Sequence, residues 1–158
     1  RSELFPHSDI DVLVLVPDAL PASQADAVAT FLSACWDAGL EIGASVRTVD
    51  ECLQEAARDI TVQTALLERR LVAGHAALYQ RLCEAMNQAM RPYAFYLAKT
   101  LEMRQRHARF DHTPYALEPN CKESPGGLRD IHTVLWVAQA AGWGSHGCAS
   151  VPKPKGDA

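Results

Sequence analysis

The 158-residue chain is 48% hydrophobic and 22% charged, with a formal net charge of −4. This is the composition of a globular protein of one large domain or one and a half small ones. The acidic balance argues against a nucleic-acid polymer as partner, no apolar run reaches bilayer length, and no signal peptide opens the chain.

Ile10 to Val16 is apolar and rich in β-branched residues, which predicts a strand buried on both faces. Pro17 and Pro21 bracket a turn. Helical spacing follows over residues 22–38, with Ala25, Val28, Phe31 or Leu32, Cys35 and Trp36 inward and Gly39 as the C′ residue. A second strand is expected over Leu40 to Val46. Thr48-Val49-Asp50-Glu51 has the form of a capping box, opening a short helix to Ala57. Asp59 is placed to cap the next helix, with Val62, Leu66 and Leu71 inward and Gly74 at its end. A further helix spans 75–90, and Pro92 starts a long one toward Phe110. Strand, helix, strand, then helices alone predict an α+β protein, with a parallel or mixed sheet ahead of a helical subdomain. Its expected parts are a core over 1–74, the helical subdomain over 75–144 and an irregular tail over 145–158. The cysteines at 35, 52, 83, 121 and 148 are odd in number and form no C-x-x-C pair, as expected of reduced thiols in a cytoplasmic protein.

The chemistry is concentrated in Pro6-His7-Ser8-Asp9-Ile10-Asp11. Residues i and i+2 of a strand share a face, with Cα atoms about 6.6 Å apart. Two carboxylates at roughly 6 Å repel by about 3 kcal/mol at an effective dielectric of about 20. A cation relieves that repulsion, and Mg²⁺ suits a site of one or two carboxylates plus substrate phosphates. The competing reading is a solvated turn capped by Ser8-Asp9. Glu41, inside an apolar run, is a third candidate carboxylate, because a glutamate buried in a strand needs a partner or a cation. Its competitor is Asp59, whose position capping already explains. Farther on, Lys122-Glu123-Ser124-Pro125-Gly126-Gly127-Leu128-Arg129-Asp130 makes a glycine turn into a helix. Leu128, Ile131, Leu135 and Ala138 form the apolar side expected for that helix. Free N–H groups at its start, with Lys122 and Arg129 alongside, suit a phosphate; a purely structural loop is the alternative. Arg104, Arg106, His107 and Arg109 read as a solvated basic face.

Glu3-Leu4-Phe5-Pro6-His7-Ser8-Asp9-Ile10-Asp11, Ser45-Val46-Arg47-Thr48, Asp59-Ile60-Thr61-Val62-Gln63-Thr64 and Leu117-Glu118-Pro119-Asn120 leading into Lys122 to Asp130 together resemble the bacterial PII uridylyltransferases. The resemblance runs from Arg1 to Gly144, and the Lys-x-x-x-Gly-Gly-x-Arg stretch is also similar to glutamine-synthetase adenylyltransferases. It implies a polymerase-β-like nucleotidyltransferase fold and transfer of UMP from UTP to a tyrosine of the PII signalling protein, releasing pyrophosphate. Carried over by position, Asp9 and Asp11 are the metal-binding pair, and Glu41 is the third acid by strand order. Ser8, Lys122, Gly126, Gly127 and Arg129 are the expected nucleotide-binding residues, and Mg²⁺ is the expected cofactor. The family's Gly-Gly-Tyr-Gly turn would precede Arg1, Ser2 stands where a glycine is usual, and the His-Asp and ACT domains would lie downstream. The chain is therefore expected to be a piece of a larger enzyme, inactive alone. The rival expectations are a non-catalytic remnant that still binds a partner, and a nucleotidyltransferase acting on another protein.

Overall fold

The computed structural model describes residues 10–110 and 120–143. Ser8, Asp9 and the tail after Gly144 lie outside the described residues. Packing divides the chain into two units, one ending at Leu53 and the other beginning at Gln54.

In the first unit, β1 (Ile10–Leu15) pairs in parallel with β2 (Ile42–Arg47), Asp11 lying opposite Gly43. A parallel pair needs a crossover, and α1 (Ala22–Asp37) provides it, packing on β2. β1 differs from its expected double burial: Val12 to Leu15 are only half-buried and Asp11 is exposed, since the described sheet has two strands. Along α1, Val28, Leu32 and Cys35 are half-buried, whereas Phe31 and Trp36 are exposed. The helix closes as the sequence predicts. Gly39 takes φ 76°, its N–H bonds Trp36 O at 2.9 Å, and Leu40 N–H bonds Cys35 O at 3.1 Å. Those two bonds make a Schellman motif, which needs a left-handed residue at C′.

The capping box forms at the start of α2 (Val49–Arg58). Thr48 N–H donates to Glu51 Oε2 at 2.8 Å, and Glu51 N–H donates to Thr48 Oγ1 at 3.2 Å. In the second unit, Asp59 caps α3 (Ile60–Leu67), accepting from Thr61 N–H at 2.7 Å. This helix stops at Leu67, short of the expected Gly74. α4 (Ala76–Ala89) and α5 (Pro92–Ala108) follow, the latter with proline in its first turn. α6 (Leu128–Ala140) packs against α5 and α3. The core joins Leu67, Phe95, Trp136 and Ala140, with Ile60, Met90 and Val137 against it. Gln139 Nε2 ties α6 to Leu67 O at 2.9 Å.

The buried side of α6 is not the predicted one. Thr133, Trp136 and Ala140 face inward, while Leu128, Ile131, Val134 and Leu135 are exposed. Cys35, Cys52 and Cys121 are free thiols, but Cys83 is disulfide-bonded, against the expectation of reduced thiols throughout. Among the described residues no helix is long and apolar enough to cross a membrane.

Candidate functional site

Two carboxylates of the first unit, Asp11 and Glu41, line an open cleft of about 680 Å³ together with Trp36, Gly39, Leu40, Ile42 and Gly43. Ile10 pairs with Ile42 and Asp11 with Gly43, and Glu41 stands in the turn just ahead of β2, where Ile42 N–H bonds Leu40 O at 3.0 Å. A Cβ on Gly43 would lie 2.8 Å from Asp11 Oδ1. Glycine is what leaves that carboxylate its room.

Glu41 sits just ahead of β2 and is exposed. The expectation that it is buried within a strand does not hold, and with it goes the desolvation argument for a cation. Its place on the cleft beside Asp11 is the observation that remains. Asp59 is engaged as a helix cap. Among the described residues no three histidine, cysteine or acidic side chains gather into a metal-holding group. Asp11 and Glu41 nonetheless offer two exposed, hard oxygen donors to one cleft. Magnesium takes one or two carboxylates and completes its shell with water and phosphate, so this donor set fits it.

The second unit holds the glycine loop, and its hydrogen bonds are internal. Asn120 Oδ1 accepts from Lys122 N–H at 3.0 Å and Glu123 N–H at 2.9 Å. Ser124 donates from its hydroxyl to Asn120 O. Gly127 N–H bonds Ser124 O, Leu128 N–H bonds Cys121 O, and Arg129 N–H bonds Lys122 O, each at 2.9 Å. Gly126 has φ 80°, and its N–H donates to Asp130 Oδ2 at 2.7 Å. A Cβ on Gly127 would fall 2.8 Å from Cys121 O, so no side chain fits there. Both glycines are accounted for by the turn, and the N–H groups expected to be free for an anion are taken up within it. Arg129 pairs with Glu123 at 3.2 Å and lies 5.7 Å from the Trp136 ring. Lys122 is exposed and is the cation the loop presents.

A hub the sequence did not reveal anchors this loop to α5. Asp130 accepts from Arg106, from His107 Nε2 at 2.9 and 3.0 Å, and from Gly126 N–H. Burial works to raise the Asp130 carboxyl, but Gly126, His107 and Arg106 outweigh it and hold the group below its ordinary value. Arg106 is thus buried and paired, not part of a solvated basic face. Lys99 is buried too, bonded to Glu102 at 2.6 Å and 4.6 Å from the Trp136 ring centre. Pairing 23 or 24 residues apart leaves no local pattern. The one clue was the spacing of Arg106 and His107 near the end of a predicted helix.

Residues 94–153 match the model of the family described as GlnD PII-uridylyltransferase. Bifunctional uridylyltransferase/uridylyl-removing enzymes of Burkholderia mallei (strain ATCC 23344), Burkholderia pseudomallei (strain 668) and Burkholderia thailandensis are each 57% identical over 145 residues. Each match takes in 92% of this chain, which spans 17% of the relative's length. No solved structure matches the chain. The chain is thus similar to one segment of these longer uridylyltransferase/uridylyl-removing enzymes, and residues 94–153 carry the signature of the PII-uridylyltransferase model.

Proposed function

We propose that this chain carries the metal-binding strand and the phosphate-contacting loop of a nucleotidyltransferase of polymerase-β-like fold. The reaction is transfer of UMP from UTP to a tyrosine hydroxyl of PII, with pyrophosphate released. The observation that carries the reading is the cleft that Asp11 and Glu41 both line, with Gly43 in place of any side chain opposite Asp11. Asp11 and Glu41, together with Asp9, would hold Mg²⁺, which when bound supplies charge neutralisation for the attacked phosphate and the departing pyrophosphate. A carboxylate of the cleft receives the tyrosine proton as the hydroxyl attacks. Lys122, exposed on its loop, neutralises phosphate charge. Gly126, Gly127 and Arg129 shape the loop, and Ser8 contributes a hydroxyl to the nucleotide.

A chimera tests this reading. In it, the matching 145-residue stretch of the Burkholderia thailandensis enzyme is replaced by that of this chain. The chimera is expected to label PII from radioactive UTP in the presence of Mg²⁺, and the same chimera with Asp11→Asn to lose the label. Equal rates with and without the Asp11 carboxylate would overturn the assignment.

A further inference from the structure

Trp36 is not buried as its place on α1 predicts. Its spacing puts it with the inward set of α1, yet it is 54% exposed and borders the cleft that holds Asp11 and Glu41. Exposing an indole forgoes one of the larger apolar gains available to a side chain. Its position is also built. The Schellman bonds of Gly39 and Leu40 end α1 directly after Trp36 and lead the chain into Glu41 and β2. The cleft is consequently lined by two kinds of group: the carboxylates of Asp11 and Glu41, and the apolar side chains of Trp36 and Leu40.

A nucleoside triphosphate has the same division, with a flat apolar base and a metal-binding phosphate tail. We propose that Trp36 is the platform on which the base of the nucleotide stacks, with Leu40 beside it; this rests on the UMP-transfer reading of the cleft. Every base has a π face, so stacking supplies affinity without choosing among bases. Trp36 therefore adds binding that inorganic tripolyphosphate lacks, and adds it for ATP and CTP as well as UTP.

Calorimetric titrations of the 158-residue chain in Mg²⁺ with UTP, ATP and tripolyphosphate test the proposal. UTP and ATP should both bind more tightly than tripolyphosphate. Trp36→Ala should weaken both nucleotides about fivefold or more, the effect of losing a base-stacking ring, and leave tripolyphosphate unchanged. Trp36→Phe should restore most of the loss. UTP should also quench the indole fluorescence of the wild-type chain and not that of Trp36→Phe. If Trp36→Ala alters UTP and tripolyphosphate equally, or neither, the platform assignment is wrong. Asp11→Asn separates this from the underlying reading, because it should weaken UTP and tripolyphosphate together. Were it to weaken neither, the metal assignment would fall while the Trp36 result stood. A wild-type chain that binds tripolyphosphate but UTP no more tightly overturns the platform alone, and one that binds none of the three overturns both.

Discussion

At Gly43 a missing side chain does chemical work, since any Cβ would sit 2.8 Å from Asp11 Oδ1. Gly43→Ala forces the Asp11 carboxylate to rotate away while leaving the β1–β2 pairing available. Mg²⁺ affinity should fall about tenfold, the lower end of what disturbing a ligand's surroundings costs, with little change in melting temperature. Unchanged Mg²⁺ affinity in calorimetry would show that the Asp11 orientation is not set by Gly43. Asp130 is the other residue on which much converges. Its Ala variant strands the buried Arg106 guanidinium and should cost about 3 kcal/mol in urea melts. The pH dependence follows from its lowered pKa. As acid is added, the unfolded chain takes up this proton first, because the folded carboxyl sits below its ordinary 3.8. The stability that Asp130 contributes is therefore complete above that value and drains away as pH falls through the lower, folded one. Arg106, His107 and Gly126 N–H are the groups that depress it. The gap in melting temperature between wild type and Asp130→Asn should hold steady at neutral pH and close in acid. A gap that widened on acidification would mean that the hub does not depress the carboxyl.

Among the elements, α3 offers a clean separation between capping and metal binding at Asp59. Asparagine caps nearly as well as aspartate, whereas alanine costs about 1 kcal/mol. Asp59→Asn should leave both stability and Mg²⁺ affinity near wild type, and Asp59→Ala should lower stability alone. Loss of Mg²⁺ affinity in the Asn variant would make Asp59 a ligand. The same locality explains which elements could be read in advance. The capping box of Thr48 and Glu51, proline at the start of α5 and Gly39 at the end of α1 are signals spoken between residues a turn apart. Burial is not such a signal. α6 carries apolar residues around most of its circumference, so its periodicity could not tell the Leu128–Ile131–Leu135 side from the Trp136–Ala140 side. Packing against Leu67 and Phe95 chose the second. For the candidate site, the Asp11 signal was legible because alternation on a strand is local. The opposition of Gly43, the outward turn of Trp36 and the Arg106–His107–Asp130 hub all arise from chain segments brought together by folding.

On the scale of the molecule, the apolar surface left uncovered is the main consequence of the packing. α5 exposes Tyr93, Leu97 and Leu101 at successive turns, opposite its buried Phe95 and Lys99, and α6 exposes Leu128, Ile131 and Leu135. Exposed apolar residues scattered singly are ordinary, but two helical stripes amount to surface that water opposes. The isolated chain should therefore bind an environment-sensitive apolar dye and associate as its concentration rises. Substituting Leu97→Lys, Leu101→Lys and Ile131→Lys tests whether those stripes are responsible. Because the residues are already in water, each change should shift stability by no more than about 0.5 kcal/mol. Sedimentation velocity should show weaker association and dye binding should drop. If the triple variant instead unfolds, these side chains are packed in solution and the exposed stripes are not part of the folded chain. If it stays folded but associates as before, the self-association comes from a different surface.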